Sequence, residues 1–107
     1  MTNNDRIPEL SEREFDDFVK GGVVLIDFFA EWCMPCVMMG PVFEEVSEKF
    51  SKFKFRKVNI DDNKELASKY KILSIPCIII FKDGKEINRI VGSIPEEALE
   101  EKIRKLK

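Results

Sequence analysis

The sequence predicts an α/β fold: a central four- or five-stranded mixed sheet with helices on both faces. Two apolar runs, residues 23–30 (interrupted only by Asp27) and 77–81, read as strands buried on both faces. Between and after them lie segments whose apolar residues recur at helical spacing, so strand and helix alternate along the chain. A length of 107 residues suits one hydrophobic core, and the reading is a single domain over residues 1–107.

The elements follow in order. Ile7-Pro8-Glu9-Leu10 fits a short edge strand, where proline is tolerated. Ser11 and Glu14 form a capping-box pattern. Phe15, Phe18 and Val19 share one helical face, and Gly21-Gly22 ends that helix. The run 23–30 is apolar except for Asp27. Over residues 34–50, Met39, Val42, Phe43, Val46 and Phe50 recur at helical spacing. Pro41 lies inside this helix, where a lost hydrogen bond and a steric clash predict a kink. Residues 53–60 read as the next strand, with Phe53, Phe55 and Lys57 on one face and Val58 and Ile60 on the other. Strand, helix and strand make a βαβ unit, whose two strands are expected to be parallel. Asp61-Asp62-Asn63 can cap a short helix through Tyr70, with Leu66 and Tyr70 facing inward. After the strand at 77–81, Asp83-Gly84 signals a hairpin, and residues 86–91 return as an antiparallel edge strand. Ser93 and Glu96 form a second capping-box pattern with Pro95 in the first turn. Ala98, Leu99, Ile103 and Leu106 then form the apolar face of a terminal helix.

Composition narrows the function. Charged residues make up 36 % of the chain, against roughly 25 % in an average protein. The signs nearly cancel, 18 basic against 20 acidic for a net charge of −2, so neither nucleic acid nor an anionic membrane is expected as a partner. No stretch reaches the roughly 18 apolar residues of a membrane span. Residues 1–6 are polar and lack the apolar core of a signal peptide, so a cytoplasmic protein is expected, and a monomer. Histidine is absent, which excludes Ser-His and Cys-His catalysis and every histidine-based metal site.

Three cysteines, Cys33, Cys36 and Cys77, cannot all pair within one molecule. In an intracellular protein a C-x-x-C pair is more often redox-active or metal-binding than structural. Cys33 and Cys36 span about one helical turn where a strand gives way to a helix, close enough for a small disulfide ring that Pro35 stiffens. Free backbone N–H groups and the positive end of the helix dipole favour a thiolate there. The cysteine nearest the turn is therefore expected to be acidic and reactive. Asp27 is the other unusual residue. A carboxylate inside a buried strand costs several kcal/mol unless neutralised or paired. Desolvation raises its pKa and makes it a proton acceptor near neutral pH. Lys57, on the apolar side of the neighbouring strand, is its candidate partner, although a lysine there can also snorkel to solvent.

The stretch Asp27-Phe-Phe-Ala-Glu-Trp-Cys-Met-Pro-Cys36 resembles the active-site signature of the thioredoxin family. Lys57-Val-Asn-Ile-Asp61, Ser74-Ile75-Pro76, Phe81-Lys-Asp-Gly84 and Val91-Gly92 match further landmarks of that family in order, and the likeness runs from about Ser11 onward. It implies a thioredoxin fold and a thiol–disulfide oxidoreductase that reduces protein disulfides. Cys33 would be the nucleophile, and Cys36 would resolve the mixed disulfide. Asp27 would help to deprotonate Cys36. The resemblance further implies a cis peptide before Pro76, packed against the cysteines, with the Ile75 backbone free to pair with an extended substrate segment. Trp32, Met34, Pro35, Ile75, Val91 and Gly92 would form an apolar substrate patch, with Gly92 allowing close backbone approach. No bound cofactor is implied, because the Cys33–Cys36 disulfide itself carries the electrons. The implied partners are a thioredoxin reductase-type enzyme and disulfide-containing proteins.

The chain departs from the family pattern at three places. Met34 replaces the usual glycine inside the motif, and Val37 replaces the usual basic residue after it. Cys77 stands where threonine is common; it is either an inert core residue or a third thiol near the pair. Two other functions use the same residues. A metal or iron–sulfur module would draw on Cys33 and Cys36, with or without Cys77. A glutathione-dependent, glutaredoxin-like activity fits less well with Trp32 and Asp27.

Overall fold

The computed structural model describes residues 7–106; the polar start at residues 1–6, read above for the lack of a signal peptide, lies outside the described residues. In chain order the elements are α1 (Glu12–Val19), β1 (Val23–Phe29), α2 (Met34–Lys49), β2 (Lys54–Asn59), α3 (Lys64–Lys69), β3 (Cys77–Lys82), β4 (Lys85–Val91) and α4 (Glu96–Arg104). The sheet runs β2-β1-β3-β4. β1 pairs parallel to β2 and antiparallel to β3, and β3 pairs antiparallel to β4.

β1 is central, and its alternate side chains feed two cores. Leu25 packs with Met39, Phe43 and Val46 of α2 and Leu99 and Ile103 of α4. Val24, Ile26 and Phe28 pack on the other face with Phe15 and Val19 of α1 and Leu66 of α3. Covering both faces explains why this strand is apolar at every position but Asp27 rather than alternating. On the second face Phe15 meets Phe81 edge-on at 5.5 Å, and Tyr70 meets Phe81 in the same way at 5.5 Å. Asp27 shares the side of β1 that Leu25 occupies, the side covered by α2 and α4.

Local signals act as their chemistry dictates in most places. Ser11 is the N-cap of α1, and the Glu14 carboxylate accepts both its backbone N–H and its hydroxyl at 3.1 Å. Asp83 and Gly84 take φ values of 51° and 89°, the left-handed pair that a two-residue hairpin demands. Pro41 lies within α2.

Three expectations are corrected. The sheet has four strands among the described residues, because the segment at 7–10 makes only an isolated bridge from Glu9 to Lys57. Pro8 has no N–H to donate, so that segment contributes two backbone bonds, Leu10 N–H to Lys57 and Lys57 N–H to Pro8. Asn63 is the N-cap of α3, yet its side chain does not cap the helix. It donates instead to the Asn59 carbonyl at 2.9 Å and accepts the Glu12 N–H at 3.0 Å, tying α1 to α3. Finally, α4 begins at Glu96 with Pro95 as N-cap, so Ser93 caps nothing. A start at Ser93 would force Ile94 into helical conformation directly before a proline, which the proline ring disfavours.

Candidate active site

The topology brings four segments to one end of the sheet. The turn after β1 carries Trp32 and Cys33, and the turn after β2 carries Asp61. Ile75 and Pro76 precede β3, and Val91 and Gly92 end β4. Register ties them together: Phe28 pairs with Cys77, Cys77 pairs with Val91, and the Ile60 N–H donates to the Phe29 carbonyl at 2.9 Å.

Cys33 is the N-cap of α2, and its Sγ accepts the Cys36 backbone N–H at 3.2 Å. The two sulfurs are at disulfide distance, with Cα atoms 5.2 Å apart. Once the pair is reduced, that N–H and the helix N-terminus stabilise a negative charge on Cys33. The two cysteines are almost equally buried, with exposures of 5 % for Cys33 and 4 % for Cys36. Phe29, Ala30, Ile60 and Ile75 pack around both, so the two cysteines are covered while the turn residues Glu31 and Trp32 stay exposed. The Cys33 Sγ lies 3.8 Å from the Ile75 carbonyl oxygen. The Ile75–Pro76 peptide is cis, and the Pro76 carbonyl accepts the Gly92 N–H at 2.8 Å.

Asp27 is buried, and its Oδ1 has no hydrogen-bond partner among the described residues. Burial pushes its carboxyl up to about 7 from 3.8, and the nearby charge of Lys57 pulls it the other way by less. Lys57 lies directly across from Asp27 in the β1–β2 register, with its ammonium 5.3 Å from the centre of the Phe29 ring. A carboxyl poised near neutrality on the α2 side of the sheet can take up a proton where an ordinary surface aspartate cannot.

A family model described as Thioredoxin matches residues 6–105. The chain belongs to the thioredoxin family. It is 44 % identical over 96 residues to a thioredoxin of Chlamydia pneumoniae, covering 90 % of this chain and 94 % of that one. It is 41 % identical over 100 residues to a thioredoxin of Staphylococcus aureus, covering 92 % and 96 %. Among solved structures it resembles oxidised mitochondrial thioredoxin 3 of Saccharomyces cerevisiae, with a TM-score of 0.89, 30 % identity, and coverage of 98 % of this chain and 100 % of that one. Family membership together with a cysteine pair at disulfide distance makes this chain a thiol–disulfide oxidoreductase.

Around this thioredoxin-type disulfide the six residues read as a substrate patch fall into two groups. Trp32, Met34 and Val91 are exposed at 71 %, 66 % and 57 %. Pro35 is exposed as well, whereas Ile75 and Gly92 are half-buried, Gly92 at φ 93°. Cys77 is not part of the site. It is fully buried on the opposite face of the sheet with Phe28, Ile79 and Phe81, and burial pushes its thiol pKa up. Among the described residues no group of cysteines and carboxylates is placed to hold a metal ion, and no helix is long and apolar enough to cross a membrane.

Two features escaped the sequence reading. Asp61 was read as a helix cap, but its carboxylate accepts the Trp32 indole N–H at 2.8 Å and so fixes the ring beside the disulfide. Nothing in the sequence but Asp61's place in the Lys57–Asp61 landmark hints at this. Met38 and Leu73 are exposed at 67 % and 93 %. Met38 was legible from helical spacing, since it stands four residues after Met34.

Proposed function

We propose that this protein is a general protein-disulfide reductase, with Cys33 as nucleophile and Cys36 as resolving thiol. The observation that carries the reading is the Cys33 sulfur at the N-cap of α2, one turn from Cys36. The Cys33 thiolate attacks one sulfur of a substrate disulfide, forming a mixed disulfide and releasing the first substrate thiolate. Cys36 loses its proton to Asp27 and its sulfur attacks the Cys33 sulfur. The Cys33–Cys36 bond forms, the mixed disulfide breaks, and the second substrate thiolate leaves. Two electrons pass from the cysteine pair to the substrate. Lys57 moderates the carboxyl of Asp27. The Ile75 backbone, set by Pro76, pairs with an extended segment of the substrate. Trp32, Met34, Pro35, Val91 and Gly92 form the surface around it.

No bound cofactor enters this cycle, which a thioredoxin reductase-type partner resets by returning two electrons. A single domain carries all these roles, acting as a monomer in the cytoplasm. The unpaired, buried Cys77 is in keeping with a compartment that holds thiols reduced. The test is reduction of insulin disulfides with dithiothreitol as electron donor. Wild type accelerates it and Cys33→Ser abolishes the acceleration; equal rates for the two would refute the assignment.

A further inference from the structure

We infer that the solvent face of the first two turns of α2, formed by Met34, Val37 and Met38, is a docking surface that selects substrate segments with an apolar side chain and a cationic residue beside the reacting cysteine. The inference rests on the disulfide-reductase reading above and names the substrate class of that same site.

The inner face of α2 is the ordinary one, with Cys36, Met39, Phe43 and Val46 turned to the core. The outer face is not. Met34, Val37 and Met38 stand at spacings of three and four residues, hence on one side of the helix, and are exposed at 66 %, 48 % and 67 %. A surface helix normally carries charge there. Residues 32–43 carry none, in a chain that is 36 % charged. The stripe starts at the residue after the N-cap Cys33 and adjoins Trp32, exposed at 71 %. It is therefore continuous with the redox centre and not a stray patch. Two of its three side chains are methionines, whose unbranched thioethers adapt to partners of varied shape.

The sign of the preferred charge comes from the edge of this surface. No lysine or arginine occurs between Lys20 and Lys49. Glu31 is exposed immediately before Trp32. Asp61 is held against the Trp32 indole at 2.8 Å by a neutral N–H that leaves its charge uncancelled, and exposed Asp62 follows it. A segment laying an apolar side chain along Met34, Val37 and Met38 thus meets carboxylates at the Trp32 end. Lysine or arginine beside its cysteine is attracted there, and glutamate is repelled.

The experiment uses the full chain at low salt and three oxidised peptides, each closed by one disulfide. One has leucine and lysine flanking the cysteine, one leucine and glutamate, and one serine and lysine. The leucine–lysine peptide is expected to show a kcat/KM about fivefold above the leucine–glutamate peptide and about tenfold above the serine–lysine peptide. Val37→Lys brings the lysine-to-glutamate ratio to one or below, and Met38→Ser shrinks the leucine-to-serine ratio. In wild type, 1 M salt removes the charge preference and leaves the apolar one, since the Debye length is then about 3 Å. Equal kcat/KM for all three peptides, or ratios unmoved by both substitutions, would overturn the docking surface while leaving the reductase assignment intact. Absence of any Cys33-dependent peptide reduction would overturn the reductase assignment as well.

Discussion

Asp27 lies between Ile26 and Phe28, both fully buried, in the central strand of the sheet. Its surroundings hold the carboxyl at about 7 instead of 3.8, chiefly through desolvation of the charged form. The folded protein therefore binds this proton more tightly than the unfolded chain does. The resulting stabilisation is complete below the ordinary carboxyl pKa and is lost as pH rises through about 7. Asp27→Asn removes the titration. In urea unfolding, the stability of the variant relative to wild type should rise between pH 4 and pH 8 by about 4 kcal/mol. A difference constant with pH would show that Asp27 does not titrate in this range. The sequence revealed this residue because a charge inside an apolar run is anomalous in itself. It did not reveal the bond from Trp32 to Asp61, since the two residues are 29 apart in sequence and meet only because β1 and β2 are neighbours.

At the level of elements, the β3–β4 hairpin shows what a short signal can specify. Asp83 and Gly84 both have positive φ, and Asp83 is also clamped to Gly22. Its N–H donates to the Gly22 carbonyl at 2.9 Å, and its Oδ1 accepts the Gly22 N–H at 3.0 Å. At Gly84 there is room for a methyl group, with the nearest atom 3.8 Å away, so only the backbone conformation resists substitution. Gly84→Ala is expected to destabilise the fold by about 1–2 kcal/mol in thermal unfolding. An unchanged Tm would contradict the strain argument. The strands and long helices were legible because their periodicity reflects two faces that must both be covered. The Ser93 capping box was misread because the pattern ignores what a following proline does to Ile94. The edge strand at 7–10 was misread because tolerance of a proline at a sheet edge does not supply the N–H groups a ladder needs.

Across the whole molecule, the fold separates three thiols into one pair and one spectator. The β1–α2 junction puts Cys33 and Cys36 together at the end of the sheet, and the strand alternation of β3 turns Cys77 into the opposite core. The pairing and the helix start were legible from spacing, whereas the near-equal burial of the two cysteines depends on Phe29, Ile60 and Ile75 arriving from separate segments. The central claim is that Cys33 attacks and Cys36 resolves. It is tested most directly by mixing Cys36→Ser with oxidised insulin and mapping the trapped adduct by mass spectrometry. The prediction is a stable mixed disulfide on Cys33, with Cys77 still a free thiol and no adduct formed by Cys33→Ser. An adduct on Cys77, or one that forms with Cys33→Ser and not with Cys36→Ser, would contradict it.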